Sequence, residues 1–330
     1  MRLPIIYTAI VCFRVFVITL QYRDLMQSCT QIAITAALLL LLARHRCKEQ
    51  CRTRVVPANK ERVVILGAST VDGIGAAIAA ESLARGVRQV MLVGRNEQGL
   101  KHVKEHLCAK CGSAALDIVL RPADCSNTAD VLAARDAAAD QFGGIDTLYI
   151  VFGSMIDSTL LGITGNDPIR DGKDAGPTTQ SGLANLHGVM ERACTINVSG
   201  TALTLASFVP LMQKFSMRPH ICVIGSLASV IPAPTRAIYA AVKAAQQQLV
   251  LGFATECASQ ARVPGLSLVK FTVLAPGSVD TSFSARRSNA GAMRATDVAR
   301  CAVVKVDAGK TGVVPVPGKY IIAWIASIFA

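Results

Sequence analysis

The sequence predicts an α/β fold built on a doubly wound parallel sheet, preceded by an N-terminal transmembrane helix or hairpin. From Arg62 onward, short runs rich in β-branched residues alternate with longer stretches of helical periodicity, which is typical of parallel sheets. Two apolar segments precede this alternation. Apolar residues make up 52% of the 330 residues and charged residues 17%, so the chain has enough apolar material for a large core.

The two apolar segments are residues 3–20 and 25–43. At about 1.5 Å per residue the second spans about 28 Å, close to the thickness of a hydrocarbon core, and it contains a run of leucines. The first carries Arg14 near its middle, a costly placement in a bilayer. We therefore expect either one span preceded by an interfacial helix or a hairpin of two spans.

A basic cluster follows the second segment and consists of Arg44, Arg46, Lys48, Arg52 and Arg54. Positive charge beside a span favours the cytosolic side of a membrane, so the folded domain is predicted to face the cytosol. The net charge of +12 is also compatible with nucleic-acid binding. Because only 5% of the residues are aromatic, with no stripe of aromatic and basic residues, we expect no nucleic-acid partner.

The predicted organisation is a membrane anchor at residues 1–45, a basic linker at 46–60 and a single folded domain at 61–330. This domain ends in an apolar segment, residues 320–330, which is too short to span a bilayer. The cysteines include one C-x-x-C pair, Cys108 and Cys111, with no second pair or histidine at zinc-like spacing. We therefore predict no metal site.

Six strands are predicted in the domain, with helical stretches between them. The strands are Val63–Leu66, Gln89–Val93, Leu116–Leu120, Thr147–Val151, His220–Ile224 and Leu268–Leu274. The helices lie near residues 74–86, 97–108, 127–141, 190–214 and 238–258. The segment Gly162–Gly182, rich in Gly, Asp, Pro and Thr, predicts a long surface loop.

A glycine-rich segment joins the first strand to the first helix, and its candidate contact residues are Gly67, Ser69, Gly73, Ile74 and Gly75. Glycines at such a junction let the backbone approach a pyrophosphate, and the helix N-terminus supplies N–H groups. The second strand ends at Arg95, where a site for NAD usually carries an acidic residue, while an arginine accommodates the 2′-phosphate of NADP. The pattern favours NADP(H) as the cofactor. The alternatives are that the glycine segment is only a tight turn and that Arg95 is only an exposed arginine at the end of a strand.

Tyr239 and Lys243 stand four residues apart on a predicted helix, so their side chains share a face. Ser226 lies thirteen residues before Tyr239, at the end of a buried strand, and Asn197 lies within the preceding long helix. A tyrosine hydroxyl gives a proton to a developing alkoxide if its pKa is lowered toward neutrality, which a nearby ammonium favours.

With these residues the chain resembles the short-chain dehydrogenase/reductase superfamily, which has a Rossmann fold, and within it the membrane-anchored microsomal members such as the 11β-hydroxysteroid dehydrogenases. The resemblance covers about residues 62–318. Its motifs, in the order of the family, are the glycine loop, Gly94–Asn96, Ala123–Cys125, Asn197, Ser226, Tyr239-x-x-x-Lys243 and Pro276–Thr281.

The resemblance implies a role for each matching residue. Tyr239 would be the proton donor, Lys243 would tune it and bond the nicotinamide ribose, Ser226 would bond the substrate oxygen, and Asn197 would hold a water. For the cofactor, Asp124 would contact the adenine, and Gly153, Pro276, Gly277, Val279 and Thr281 would complete the site. Asp124 has the alternative of a helix N-cap, and Thr281 that of a turn hydroxyl.

Two departures from the family pattern stand out. Five residues separate Gly67 from Gly73, where the family usually has three, so the longer loop is expected to bulge over the pyrophosphate and weaken binding. The family's Asn-Asn-Ala-Gly is here Ile150–Gly153, in which only the glycine matches.

The resemblance implies an NADP(H)-dependent enzyme that reduces a ketone or oxidises an alcohol on a lipophilic substrate such as a steroid, retinoid or lipid ketone. It also implies an endoplasmic-reticulum membrane location and a possible homodimer. The alternative is a membrane-bound nucleotide-binding scaffold of the same fold that has lost turnover.

The topology is testable because the basic cluster follows the better of the two spans. Protease added to intact microsomes is expected to digest the chain beyond Val56 without detergent, since that part faces the cytosol. Immunoblotting of the remaining fragments measures the digestion. Protection of the whole domain until detergent is added would contradict the predicted orientation.

Overall fold

The computed structural model describes residues 55–111, 117–169, 176–283 and 292–320. The predicted anchor, most of the basic linker and the apolar C-terminal segment beyond residue 320 lie outside these ranges. Within them, strands and helices alternate as the sequence predicts.

Seven strands form the main sheet and two short strands pair beside it. The strands are β1 Arg62–Leu66, β2 Gln89–Gly94, β3 Asp117–Pro122, β4 Thr147–Ile150, β5 His220–Ile224, β6 Lys270–Pro276, β7 Val279–Asp280, β8 Met293–Arg294 and β9 Gly312–Val316. The helices are α1 Ile74–Ala84, α2 Glu97–Cys111, α3 Thr128–Phe142, α4 Leu160–Ile163, α5 Gln180–Cys194, α6 Gly200–Phe215, α7 Ala237–Gln260 and α8 Ala295–Asp307.

The main sheet is parallel throughout and has the order β3-β2-β1-β4-β5-β6-β9. Its strands are buried on both faces, as the near-continuous apolar runs require. In β1, Val63 and Ile65 join a core cluster with α1, α2 and α8, whereas Val64 and Leu66 join a second cluster with α3, α6 and α7. Helices therefore cover both faces, and the predicted doubly wound architecture is correct.

The strand order reverses between β1 and β4, which are neighbours although β2 and β3 lie between them in sequence. In sheets of this kind ligands bind in the crevice beyond the carboxyl ends of the strands at such a point. A ligand site is therefore expected among the segments that follow β1, β2, β4 and β5.

Several predicted boundaries differ from the structure. The predicted loop Gly162–Gly182 was too long, because α4 contains its first two residues and α5 begins at Gln180. Thr179 caps α5 by accepting a hydrogen bond from the Gly182 N–H at 3.1 Å. The predicted strand from Leu268 begins at Lys270 instead, since Leu268 is 49% exposed.

A continuous helical run, Gln180–Phe215, joins α5 to α6 through a π-helical turn at Thr195–Ser199. Among the described ranges it alone has the length and hydropathy of a membrane span. Buried α6 residues such as Phe208 and Met212 belong to the core cluster beneath the sheet. Because a core helix also satisfies those two criteria, this run by itself does not indicate a membrane.

Candidate active site

A cavity of about 720 Å³ opens at the carboxyl ends of the strands. Its volume lies in the range usual for ligand sites. Nearly all the predicted site residues line it, namely Gly67, Ser69, Gly73, Ile74, Arg95, Asp124, Gly153, Ser226, Tyr239, Lys243, Pro276, Gly277, Val279 and Thr281. Gly75 and Asn197 are not in the wall. The sequence motifs therefore converge on one place.

The glycine segment after β1 requires glycine at two positions. Gly67 has a φ of +95°, and a Cβ there would lie 2.5 Å from the Phe152 backbone nitrogen. A Cβ on Gly75 would lie 2.4 Å from the Gly67 carbonyl oxygen. Helix α1 begins at Ile74 with Gly73 as its N-cap and no side-chain cap, so its first N–H groups face the cavity end of the helix. This arrangement fits a pyrophosphate.

The longer glycine loop makes a contact that a shorter loop would lack. The Asp72 carboxylate accepts hydrogen bonds from the Ser282 backbone N–H at 3.0 Å and the Ser282 hydroxyl at 2.8 Å. Ser282 itself lines the cavity. The loop therefore joins the segment after β7 at the cavity mouth, and weaker pyrophosphate binding remains a prediction.

Arg95 and Asp124 lie together at the ends of β2 and β3. The Arg95 Nη1 atom is 3.7 Å from the Asp124 Oδ2 atom, and the Arg95 side chain is 67% exposed. An ion pair this exposed contributes little to the stability of the fold, so the Arg95 guanidinium is available to bind a phosphate. Burial raises the pKa of the Asp124 carboxyl, but hydrogen bonds from Ser126 and the Arg95 charge outweigh it and lower the pKa.

The alternative role of Asp124 as a helix cap does not hold. The N-cap of α3 is Asn127, whose side-chain oxygen accepts hydrogen bonds from the N–H groups of Ala129 and Asp130. The Asp124 Oδ1 atom instead accepts from the Ser126 N–H and hydroxyl at 2.9 and 2.6 Å. Its carboxylate stays in the cavity wall.

Ser226 and Tyr239 meet at the other end of the cavity. Ser226 follows β5 and caps a short 3-10 turn, where its hydroxyl accepts a hydrogen bond from the Ala228 N–H at 3.1 Å. Tyr239 lies in the first turn of α7 and lines the same cavity wall. Burial raises the pKa of Tyr239 more than hydrogen bonding with Ser226 and the charge of Arg236 lower it, so this pKa lies above its usual value and not closer to neutrality as the sequence led us to expect.

Lys243 lies one turn beyond Tyr239 and is buried. Its Nζ atom donates to the Ile224 carbonyl oxygen at 3.1 Å and to the Gln246 Oε1 atom at 2.8 Å. Burial lowers the pKa of Lys243 to about 8, because the charged form is disfavoured away from water. Tuning of Tyr239 by Lys243 remains a prediction.

Asn197 lies behind the cavity, in the π-helical turn. Its Oδ1 atom accepts from the Ser154 N–H at 3.2 Å, and its Nδ2 atom donates to the Ser154 hydroxyl at 2.8 Å. A Cβ on Gly153 would lie 2.8 Å from this Oδ1 atom and 3.4 Å from the Lys243 Nζ atom. Gly153 therefore leaves the space in which Asn197 and Lys243 approach each other.

The turn after β6 forms a further part of the cavity wall. The Gly277 N–H donates to the Val316 carbonyl oxygen at 3.0 Å, which ties the turn to β9. Thr281 is buried, and Val279 is half-buried in the short strand β7. In the described ranges no group of three His, Cys, Asp or Glu side chains could hold a metal ion.

Sequence reasoning missed two polar residues at this site. Gln246 accepts from the Lys243 ammonium and donates from Nε2 to the Thr201 hydroxyl at 2.8 Å, which in turn donates to the Asn197 carbonyl oxygen at 2.7 Å. Arg236 lines the cavity beside Tyr239. Their spacing of three residues from Lys243 and from Tyr239 placed them on the same helix face, which was the available signal.

Comparisons with known proteins agree with this geometry. The model of the short chain dehydrogenase family matches residues 61–291. An uncharacterized oxidoreductase of Staphylococcus epidermidis is 29% identical over 223 residues, covering 67% of this chain and 80% of that protein. One from Staphylococcus aureus is 27% identical over 222 residues, covering 67% of this chain and 79% of that protein. The chain therefore belongs to the short-chain dehydrogenase family and is an oxidoreductase of that type.

Solved structures show the same fold. A short chain dehydrogenase/reductase from Burkholderia phymatum, in complex with NAD, has a TM-score of 0.63 at 21% identity, covering 80% of this chain and 92% of that one. An alcohol dehydrogenase from the archaeon Thermococcus sibiricus, complexed with 5-hydroxy-NADP, has a TM-score of 0.59 at 20% identity, covering 78% and 95%.

The hydrogen bond between Gln246 and Lys243 predicts a shift in the pH dependence of activity. A pKa of about 8 means that the ammonium is lost as pH rises through 8, so rates of turnover are expected to fall there. Gln246→Leu removes an acceptor that favours the charged form and is expected to move the midpoint of this fall to lower pH. Gln246→Glu adds a negative charge and should move it to higher pH.

Thr201→Val is the matched control. It removes the hydroxyl that accepts a hydrogen bond from Gln246 Nε2 and leaves the hydrogen bond between Gln246 and Lys243. Its midpoint is expected to match that of the wild type. Superimposable profiles of the Leu, Glu and wild-type proteins would show that Gln246 does not act through Lys243.

Proposed function

We propose that the protein is an NADP(H)-dependent oxidoreductase that reduces a ketone, or oxidises an alcohol, on a lipophilic substrate. The observation that carries the proposal is that Ser226 and Tyr239 both line the cavity wall, with Lys243 buried one turn beyond Tyr239 on α7. A carbonyl oxygen placed against both hydroxyls would have two hydrogen-bond donors where charge develops.

The residues at the two ends of the cavity fit a nicotinamide dinucleotide. Gly67, Gly73 and the start of α1 would receive the pyrophosphate, and Arg95 would receive a 2′-phosphate. Pro276–Thr281 would hold the nicotinamide end beside Tyr239. When bound, the cofactor supplies or accepts the hydride.

The protein side of the chemistry rests on Tyr239. In reduction its hydroxyl gives a proton to the substrate oxygen, and Ser226 donates a hydrogen bond to the same oxygen. The pKa of Tyr239 is raised, so the hydroxyl is protonated at neutral pH, and lowering of this pKa toward neutrality by Lys243 is part of the proposal. Lys243 would bond a ribose hydroxyl, and Asn197 would hold a water between Lys243 and solvent.

Apolar side chains support a lipophilic substrate. Met155, Ile196 and Phe283 line the cavity along with the two hydroxyls. The predicted anchor at residues 1–45 would place this cavity at a membrane, where such substrates concentrate, and we propose the endoplasmic reticulum as that membrane. A homodimer through α6 and α7 belongs to the same proposal, and sedimentation of the detergent-solubilised chain tests it: a monomer would exclude it.

Loss of the tyrosine hydroxyl is expected to abolish most turnover. Tyr239→Phe should lower kcat for ketone reduction by about 10²–10⁴-fold, because the ring packs as before and only the general acid is lost. NADPH binding, followed by fluorescence, should stay near the wild-type value. Tyr149→Phe in β4 removes a hydroxyl from the buried core instead and is expected to retain wild-type turnover. A Tyr239→Phe rate within about tenfold of wild type would contradict the role of a general acid.

If the wild-type chain binds NADPH but turns over no lipophilic ketone, the scaffold alternative is favoured instead. The longer glycine loop is the feature that supports this alternative. A screen of NADPH consumption over steroid, retinoid and long-chain ketones, using membranes that carry the full chain, separates the two functions.

Cofactor choice is tested at the end of β2. Arg95→Asp is expected to reverse the preference from NADP(H) to NAD(H), because a carboxylate bonds ribose hydroxyls and repels a 2′-phosphate. Arg88→Asp makes the same charge change at the other end of β2 and should leave the preference unchanged. The ratio of kcat/KM for NADPH and NADH measures the effect. Equal use of both cofactors by the wild type would contradict the role of Arg95.

A further inference from the structure

Arg236 is a cationic side chain in the wall of the substrate end of the cavity. It lies three residues before Tyr239, and its guanidinium carbon is 6.0 Å from the centroid of the Tyr239 ring. The Nη1 atom is 3.7 Å from the Met155 sulfur. Within the described ranges no carboxylate forms an ion pair with this guanidinium.

This environment leaves the guanidinium poorly satisfied. It presents five N–H donors in a planar fork, and a thioether sulfur is only a weak acceptor. The side chain is half-buried, so part of its hydration is already lost. A charge in such a partly enclosed site interacts more strongly with an arriving anion than an exposed surface charge does.

The position of Arg236 separates it from the cofactor phosphates. Arg95 follows β2, whereas Arg236 lies in the connection from β5 to α7, and β1 and β4 lie between these two strands in the sheet. Arg236 contacts Met155 and lies over the Tyr239 ring, and both of these residues were assigned above to the substrate.

We propose that Arg236 binds a carboxylate of the substrate, and that the preferred substrates are oxo acids with an apolar chain and a carboxylate a few bonds from the carbonyl. This inference rests on the proposed function, because it adds a binding contact to the same site. A planar carboxylate matches the guanidinium fork with two parallel hydrogen bonds. The carboxylate takes no part in bond making: the carbonyl becomes the alcohol, and the acid group leaves unchanged.

A carboxylate on the substrate would explain why the positively charged Arg236 lies in this part of the cavity. A purely lipophilic substrate would have no group for Arg236 to bind. Met155 and Ile196 would pack against the apolar chain, while Arg236 holds the acid and thereby fixes which carbon lies beside Tyr239. Arg236 is in this account a specificity-determining residue.

The test compares each acid with its own neutral ester. The substrates are 2-oxodecanoate, 3-oxodecanoate and their methyl esters, assayed by NADPH consumption with the full chain in membranes. Arg236→Met is expected to lower the ratio of kcat/KM for acid over ester by about 10-fold to 100-fold, the usual effect of losing a charged hydrogen-bonding partner. The ratio cancels any effect of Arg236 on Tyr239, because both substrates use the same tyrosine.

Two further variants make the test specific. Arg236→Lys keeps the charge without the fork and should retain an intermediate ratio. Arg262→Met removes an exposed arginine just beyond the opposite end of α7 and should leave the ratio at the wild-type value. If Arg236→Met fails to fold, as judged by its melting temperature, competitive inhibition of the wild type by decanoate against decanamide measures the same preference.

The outcomes separate this inference from the proposed function. The role of Arg236 would be refuted if the wild type reduced esters and acids with equal kcat/KM. It would also be refuted if the ratio were unchanged in Arg236→Met. Neither result would contradict the proposed oxidoreductase function. If decanoate inhibits no better than decanamide, the inference is refuted as well. Failure of the wild type to reduce any ketone would instead refute the proposed function, and the inference with it.

Discussion

The active site depends on one costly group, the ammonium of Lys243, which is buried and needs acceptors inside the protein. The carbonyl of Ile224 at the end of β5 and the side chain of Gln246 supply them. Gln246 in turn bonds Thr201, which bonds the backbone of Asn197. The strand, the helix that carries Tyr239 and the π-helical turn are therefore held together by a single chain of hydrogen bonds.

The order of strands in the sheet determines which residues surround the cavity. Because the strand order reverses between β1 and β4, one cavity is lined both by Arg95 after β2 and by Ser226 after β5. Arg95 and Arg236 place one positive charge at each end. In our proposal the first selects the cofactor and the second the substrate, so two residues outside the chemistry decide its specificity.

Sequence patterns predicted strands β1 to β6 and pointed to candidate site residues that line one cavity, because β-branched runs and ordered motifs are local signals. They missed β9, a five-residue strand that contains Pro315, and α8 before it. They began the long helix ten residues late, since its first turns contain glycine and polar residues. Arg236 and Gln246 were missed because their three-residue spacing from Tyr239 and Lys243 indicates only a shared helix face, whereas their contacts depend on atoms that the fold brings beside them.

The central claim is that Ser226 and Tyr239 hold a carbonyl carbon where it exchanges hydride with the nicotinamide ring. The most direct measurement uses NADPH carrying deuterium on the transferable ring position, with mass spectrometry and NMR of the alcohol formed. The account predicts one deuterium on the new carbinol carbon and none elsewhere. An alcohol without deuterium at that carbon, formed while NADPH is consumed, would contradict it.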